Sequence, residues 1–271
     1  MKFSVLLSVY SKESSDHLDN ALESIINQTI LPNEVVLVKD GILSAELEAV
    51  ITRYETRNAN LFNIVSISEN VGLGDALNEG LKYCSYDAVA RMDTDDICIP
   101  NRFEIQLNYL KHHHEVAVVG GYIEEFTSIP GDLKRIKRVP LEANQIKHYA
   151  RKRNPLNHPS VMFRKKAIES VGGYERILFF EDYYLWLKLL GAGYKLANID
   201  QVLLYFRVGN DMIGRRHGYA YAVHEFQFAK KARKANLFTS PDAFRFISTR
   251  LPLRLISKKL LSTFYKRIIR K

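Results

Sequence analysis

The chain has 271 residues, 46% hydrophobic and 25% charged. This composition is ordinary for a soluble globular protein and leaves room for one large α/β domain or two closely packed subdomains. Two cysteines, Cys84 and Cys98, make no disulfide framework and point to a reducing cytoplasm, and no apolar run has a secretory signal's pattern or the length of a membrane span. The formal charge of +9 is matched by nine Lys and Arg between Arg245 and Lys271, where no acid occurs, so the remainder is neutral and the basic tail is expected to meet something anionic.

Residues 3–9 form a short apolar run that predicts a buried strand. Ser14, Ser15 and Asp16 offer N-caps to a helix carrying Leu18, Leu22, Ile25 and Ile26, with Pro32 expected to end it. Strands follow at 34–39, 62–66 and 87–92, with helices at 45–57 and 72–83 between them. Strands alternating with helices imply βαβ units and a mostly parallel sheet. Ligands of such sheets bind beyond the carboxyl ends of the strands. Tyr10, Asp40, Asn70 and Asp93 all lie just past such an end.

The second half is less regular. A strand is expected at 116–123, a loop at 126–140, a strand at 159–164 and a short helix at 165–171 closed by Gly172-Gly173. An apolar helix at 183–190 and a last strand at 202–207 follow, and the remainder is basic with helical spacing. The expected organisation is a nucleotide-binding half over 1–110, a second half over 111–217 and a tail over 218–271.

The sharpest chemical signal is Asp93-Thr94-Asp95-Asp96. Three carboxylates beside a nucleotide diphosphate repel it unless a cation lies between them. Mg²⁺ or Mn²⁺ takes such oxygen ligands together with phosphate oxygens, and stabilises charge on a leaving diphosphate. The competing explanation is that Asp95 and Asp96 cap a helix beginning near Pro100.

The ordered set Ser4 to Tyr10, Val38-Lys39-Asp40-Gly41, Asn70-Val71-Gly72, Asn78-Glu79-Gly80 and Arg91-Met92-Asp93-Thr94-Asp95-Asp96 resembles the family 2 glycosyltransferases of the GT-A fold, especially those of bacterial O-antigen and exopolysaccharide synthesis. The resemblance implies a Rossmann-like mostly parallel α/β sheet with an acceptor-binding second half. It implies that Ser8, Val9, Tyr10 and Asp40 hold the base and ribose of a UDP-sugar. Asn70, Gly72, Arg91, Asp93 and Thr94 would complete the donor site, with Asp95 as the main ligand of a divalent cation, Mn or Mg. Asp40, Asn70 and Gly72 are also ordinary turn residues, and Arg91 suits a structural ion pair equally well.

Further on, Asn154-Pro155-Leu156-Asn157-His158-Pro159 precedes Gly172-Gly173-Tyr174 and Phe180-Glu181-Asp182-Tyr183. Transfer with inversion needs a base for the acceptor hydroxyl. The resemblance gives that part to Asp182, with Glu181 orienting the acceptor. Capping of the following helix is the alternative for both acids. His158 suits a metal, a phosphate contact, an acceptor hydroxyl or a purely structural place, and is taken here as a second metal ligand. Arg207, with Arg215, Arg216 and His217, is expected to close over the diphosphate. The Gln-x-x-Arg-Trp motif of processive members is absent, which argues for single-sugar addition.

The expected activity is hexose transfer, galactose or glucose, from a UDP-sugar to a lipid-linked saccharide by an enzyme peripherally bound to the inner membrane. The tail would supply that contact through a helix begun by Pro252, with an apolar stripe from Leu253 to Ile268 lying on an anionic membrane surface. A metal-dependent nucleotidyltransferase is the alternative enzyme. Tyr10-Ser11-Lys12-Glu13 lacks the glycine-rich loop that class carries after its first strand. A nucleic-acid-binding module would leave the acidic site unexplained, so no nucleic-acid partner is expected.

Overall fold

The computed structural model describes residues 1–209 and 218–255. Among them, nine strands join in one sheet of order β3-β2-β1-β4-β8-β6-β9-β5, with β7 paired to β6. Strands β1 (Phe3–Tyr10), β2 (Glu34–Asp40), β3 (Phe62–Ile67) and β4 (Ala88–Arg91) are mutually parallel. They are linked by α1 (Ser15–Ile26), α2 (Ala45–Arg57) and α3 (Leu73–Tyr83). This is the expected Rossmann-like α/β half.

Period-two alternation explains why both faces of this sheet are covered. Phe3, Val5, Leu7 and Val9 of β1 face one core with Leu18, Leu22 and Ile25 of α1 and Leu47 and Ile51 of α2. Leu6 of β1 and Val36 and Val38 of β2 face the other, with Ala76, Leu77 and Leu81 of α3. Helix α3 lies very close to the sheet at Gly80, where a Cβ would stand 2.5 Å from Val38 Cγ2.

Beyond β4 the sheet becomes mixed. The short β5 (Ile97–Cys98) precedes α4 (Arg102–His112). Then come β6 (Val116–Phe126), β7 (Arg135–Lys137), α5 (Ala143–Tyr149), a 3₁₀ turn (His158–Ser160), β8 (Met162–Arg164), α6 (Lys165–Ser170), α7 (Glu181–Gly191) and β9 (Lys195–Arg207). Strand β8 is antiparallel to both β4 and β6, and β5 of the first half pairs with β9 of the second. The sheet therefore runs without a break through the expected boundary at residue 110.

Several expectations are corrected. Helix α1 ends at Ile26, well before Pro32. The stretch 126–140 is not all loop, because residues 135–137 pair with β6. The last strand is thirteen residues long and begins at Lys195. Helix α4 starts at Arg102 with Asn101 as its N-cap residue, so Asp95 and Asp96 do not cap it.

Two further helices, α8 (Tyr219–Lys234) and α9 (Ser240–Leu255), pack on α7. Tyr183, Tyr184 and Leu187 meet Tyr221, Phe228, Phe238 and Phe246 in a third, largely aromatic core. Buried Glu225 of α8 accepts two bonds from Arg254, at 3.0 and 2.8 Å, and one of 3.2 Å from Arg250. Pro252, expected to begin a helix, instead lies inside α9. The stripe residues Ile256, Leu260, Leu261, Phe264, Tyr265 and Ile268 lie outside the described residues, as do Arg215, Arg216 and His217.

Candidate active site

The carboxyl ends of β1, β2 and β4 open into a cleft of about 1290 Å³. Strand register explains the convergence, since Tyr10 and Asp40 are paired at the last positions of β1 and β2. Ser8, Tyr10, Asp40, Asn70, Gly72, Arg91, Asp93, Thr94, Asp95, His158, Glu181, Asp182 and Arg207 all line this one cleft. Val9 is the exception. Its side chain is fully buried in the core beneath β1, so only its backbone is available to a ligand.

Asp40 is nearly fully buried, and its carboxylate organises the next loop. It accepts bonds from Val71 N at 2.7 Å, Gly72 N at 3.2 Å and Asn70 Nδ2 at 2.9 Å. Gly72 has φ +91 and is the N-cap residue of α3, a backbone conformation L side chains rarely adopt. Asp40, Asn70 and Gly72 thus form one turn at the cleft edge. A carboxylate has about four acceptor positions, so three donors leave it little further capacity.

Asp93, Asp95 and Asp96 bring ligand oxygens within 4.8 Å of one another. Burial, then the charges of Asp93 and Glu13, pushes the Asp95 carboxyl up to about 7. Burial, then Asp95 and Asp93, also raises Asp96 well above the usual carboxylate range. Asp96 Oδ1 accepts the Arg207 N–H at 2.9 Å, whereas its buried Oδ2 has no partner among the described residues. An all-oxygen donor set this close together, with one buried orphan oxygen, fits a hard divalent cation. His158 lies outside this cluster. Its Nε2 is 2.9 Å from the Tyr174 hydroxyl, and burial, reinforced by Arg91, holds the imidazole far below its ordinary pKa and hence neutral.

Arg91 is buried in the cleft floor and contacts the Asp93 carboxylate through Nη2. Its Nε and Nη1 have no partner among the described residues. A buried guanidinium with free donors suits an anionic or hydroxyl-rich ligand. Arg207 lines the same cleft from the end of β9. Its Nε and Nη1 are spent on the carbonyls of Asp95 and Thr127, at 2.9 and 3.1 Å, and its guanidinium stacks on Phe126. Arg207 thus braces the acidic loop.

Glu181 and Asp182 occupy the first turn of α7 across the cleft. Asp182 accepts 2.6 Å from Asn154 Nδ2 and 2.7 Å from the Tyr183 N–H, so local capping is part of its role. Burial nevertheless raises its pKa over these opposing bonds. Burial raises Glu181 to about 7, with Asp182 and Asp75 adding to the shift. Glu181 lies against α3 at Gly74, where a Cβ would be 3.2 Å from its Cγ. Asn78 of α3 clasps both backbone groups of Tyr174 at 2.8 Å, joining two sequence motifs 96 residues apart.

Two residues in this architecture went unassigned in the sequence. Glu13 accepts the Thr94 hydroxyl at 3.1 Å and adds negative charge to Asp95. Its position just past β1 was the available signal. Asn154 stands in the quoted motif, but only the fold shows it against Asp182.

The family model described as "Glycosyl transferase family 2" matches residues 4–172. An amylovoran biosynthesis glycosyltransferase, AmsE, of Erwinia amylovora is 42% identical, covering 98% of this chain and 98% of its own length. A UDP-Gal:alpha-D-GlcNAc-diphosphoundecaprenol beta-1,3-galactosyltransferase of Escherichia coli is 40% identical over 100% of this chain and 97% of its own. The mannosyltransferase PcManGT of Pyrobaculum calidifontis, solved with GDP-Man and Mn²⁺, shares the fold. Its TM-score is 0.65 at 18% identity, with coverage of 97% of this chain and 72% of that one. With a family model spanning more than half of the chain and near-full-length relatives above 30% identity, the chain belongs to glycosyltransferase family 2.

Proposed function

We propose that the protein moves a hexose from a UDP-sugar to a lipid-linked saccharide with inversion at the anomeric carbon. The observation that carries this is the placement of the three-carboxylate cluster and the Glu181-Asp182 pair in the walls of one cleft. The full-length likeness to an enzyme named for UDP-Gal, a GlcNAc-diphosphoundecaprenol acceptor and a β-linked product supports donor, acceptor and stereochemistry alike. Galactose is the first sugar to test and glucose the second.

Asp95 and Asp93 would hold a divalent cation, Mn or Mg, which neutralises the charge that gathers on the departing diphosphate. Ser8, Tyr10 and the Asp40–Gly72 turn would embrace the nucleoside, and Arg91 would use its free Nη1 and Nε on the donor. Asp182 takes the proton of the acceptor hydroxyl as its oxygen attacks the anomeric carbon. The bond from that carbon to the diphosphate oxygen breaks on the opposite side, and the nucleoside diphosphate leaves. His158 and Tyr174 support the cleft floor as a neutral pair.

Among the described residues, no helix is long and apolar enough to cross a membrane. The acid-free basic tail supports attachment to an anionic membrane surface. The deciding experiment incubates the enzyme and Mn²⁺ with a panel of nucleotide sugars and a synthetic lipid-diphosphate-GlcNAc, and reads product linkage by NMR. Absence of transfer from every UDP-hexose, or full activity in EDTA, would overturn the proposal.

A further inference from the structure

Besides Lys12, Arg91 and Lys137, the Lys and Arg residues that line the cleft fall into two groups. Arg250 and Arg254 are tied to Glu225, and Arg207 to carbonyls. Lys152, Arg153, Arg176 and Arg245 also line the cleft, yet none pairs with a carboxylate among the described residues. Among the described residues, the hydrogen-bond contact of Lys152 Nζ is with His148 Nε2, at 3.2 Å. Arg176 adjoins Glu175, but that carboxylate is taken by Lys188 and Lys231, at 3.2 and 2.6 Å. Four cations that line one cleft without a carboxylate partner among the described residues repel one another, an arrangement that favours an anionic ligand.

Their supporting elements lie around the start of α7. Lys152 and Arg153 lie on a strap after α5 whose next residue, Asn154, holds Asp182. Tyr183 Oη bonds the Ala150 carbonyl at 2.6 Å, and Arg250 of α9 bonds the Lys152 carbonyl at 3.1 Å, so strap, α7 and α9 are locked together. Arg176 sits on the loop leading into α7. That loop also exposes Leu178 and Phe179 to the cleft, and Phe179 has φ +72. A non-glycine residue in this region is uncommon and strained. The second half of the chain thus lends the cleft both basic and apolar lining residues.

We infer that Lys152, Arg153, Arg176 and Arg245 form a subsite for the diphosphate that joins the acceptor saccharide to its lipid, with Leu178 and Phe179 meeting the first part of the lipid chain. This rests on the proposed lipid-linked acceptor and adds where its anionic group binds. A diphosphate diester carries two negative charges, which four cations can engage without a metal. Anchoring there would present the sugar hydroxyl beside Asp182, because the strap bearing Lys152 and Arg153 also bears Asn154.

The test measures binding of two fluorescent probes, phenoxyundecyl-diphosphate-GlcNAc and its neutral phenoxyundecyl-GlcNAc counterpart, to the full chain with UDP and Mn²⁺ present. Wild type should prefer the diphosphate probe by about tenfold or more, as expected of charge-assisted contacts. In the combined variant K152Q/R153Q/R176Q/R245Q the two affinities should converge to within about twofold, the preference having been electrostatic. The charge-retaining set R153K/R176K/R245K should keep most of the preference, which separates charge from shape and from misfolding. A wild type that binds both probes equally, or a glutamine variant that keeps its preference, overturns the subsite. So does a variant that loses binding to phosphatidylglycerol vesicles but not to the soluble diphosphate probe, since lipid headgroups would then be the ligand. A charge-dependent preference without transfer from any UDP-hexose would leave the subsite standing and remove the proposed donor.

Discussion

Asn154 Nδ2 donates a 2.6 Å hydrogen bond to Asp182 Oδ2, tying the strap after α5 to the first turn of α7. This bond favours the ionised carboxylate and opposes the burial that raises its pKa. A base must be ionised to accept a proton, so losing the bond should delay ionisation to higher pH. For Asn154→Ala the acid limb of the kcat profile should move up by about one unit, the size expected from a charged hydrogen bond. Rate should recover substantially at alkaline pH. An unmoved acid limb would assign Asn154 a packing role only.

Asp182→Asn keeps size and removes the basic oxygen. General-base catalysis is worth roughly 10² to 10⁴ in rate, so transfer should fall by about that factor while UDP-sugar binding persists in calorimetry. Glu181→Gln should cost less, because a carboxyl raised to about 7 is only partly ionised at neutral pH. A larger loss in Glu181→Gln than in Asp182→Asn would exchange the two roles.

Three carboxylates within 4.8 Å make the acidic loop repulsive when no cation is present. Burial, then Asp93 and Glu13, raises Asp95 from an ordinary 3.8 to about 7. The folded state thus holds a proton that the unfolded chain has released. Stability falls as pH rises from about 4 to about 7, where the folded carboxyl also ionises. Asp95→Asn removes that loss. In EDTA at pH 8 its melting temperature should exceed wild type by about a few degrees, although transfer is abolished. Added Mn²⁺ should raise the wild type's melting temperature and leave the variant's unchanged. A variant less stable than wild type in EDTA would mean that the aspartates are structurally satisfied without a cation.

The parallel half and its edge residues were legible because apolar period and turn chemistry agree there. The acid run at the end of β4 stood out for the same reason. Helix α4 was obscured because two of its core-facing residues are polar. Arg102 and Gln106 are fully buried and bond the carbonyls of Arg91, Val119 and Ser160, so the apolar stripe is thinned. The early part of β9 was hidden by buried Asn198 and by Asp200 and Gln201, which interrupt the apolar run, and its pairing with β6 is broken by register shifts. At the site, residue types were readable but contacts were not. No spacing rule shows that Asn154 meets Asp182, that Asn78 clasps Tyr174, or that His158 turns towards Tyr174 and away from the aspartates.

The structure also decides where the tail must be cut. Glu225 is buried, and Arg254 holds it through two bonds with Arg250 adding a third. Ending the chain after Thr249 would remove both arginines and leave a buried carboxylate unpaired, a loss of about 3 to 5 kcal/mol by analogy with other broken buried pairs. That truncation should melt well below wild type, and any lost activity would report unfolding. Ending the chain after Leu255 keeps α9 and all three bonds while deleting six of the nine acid-free cations, Lys258, Lys259, Lys266, Arg267, Arg270 and Lys271. Each cation near an anionic surface is worth on the order of 1 kcal/mol, weakened by salt. The 1–255 chain should therefore keep its melting temperature and its UDP-sugar affinity yet sediment far less with phosphatidylglycerol vesicles at low salt. Its transfer to lipid-linked acceptor in those vesicles should fall more than its transfer to a short water-soluble acceptor. Equal sedimentation of the 1–255 chain and the full chain would show that the tail is not the membrane contact.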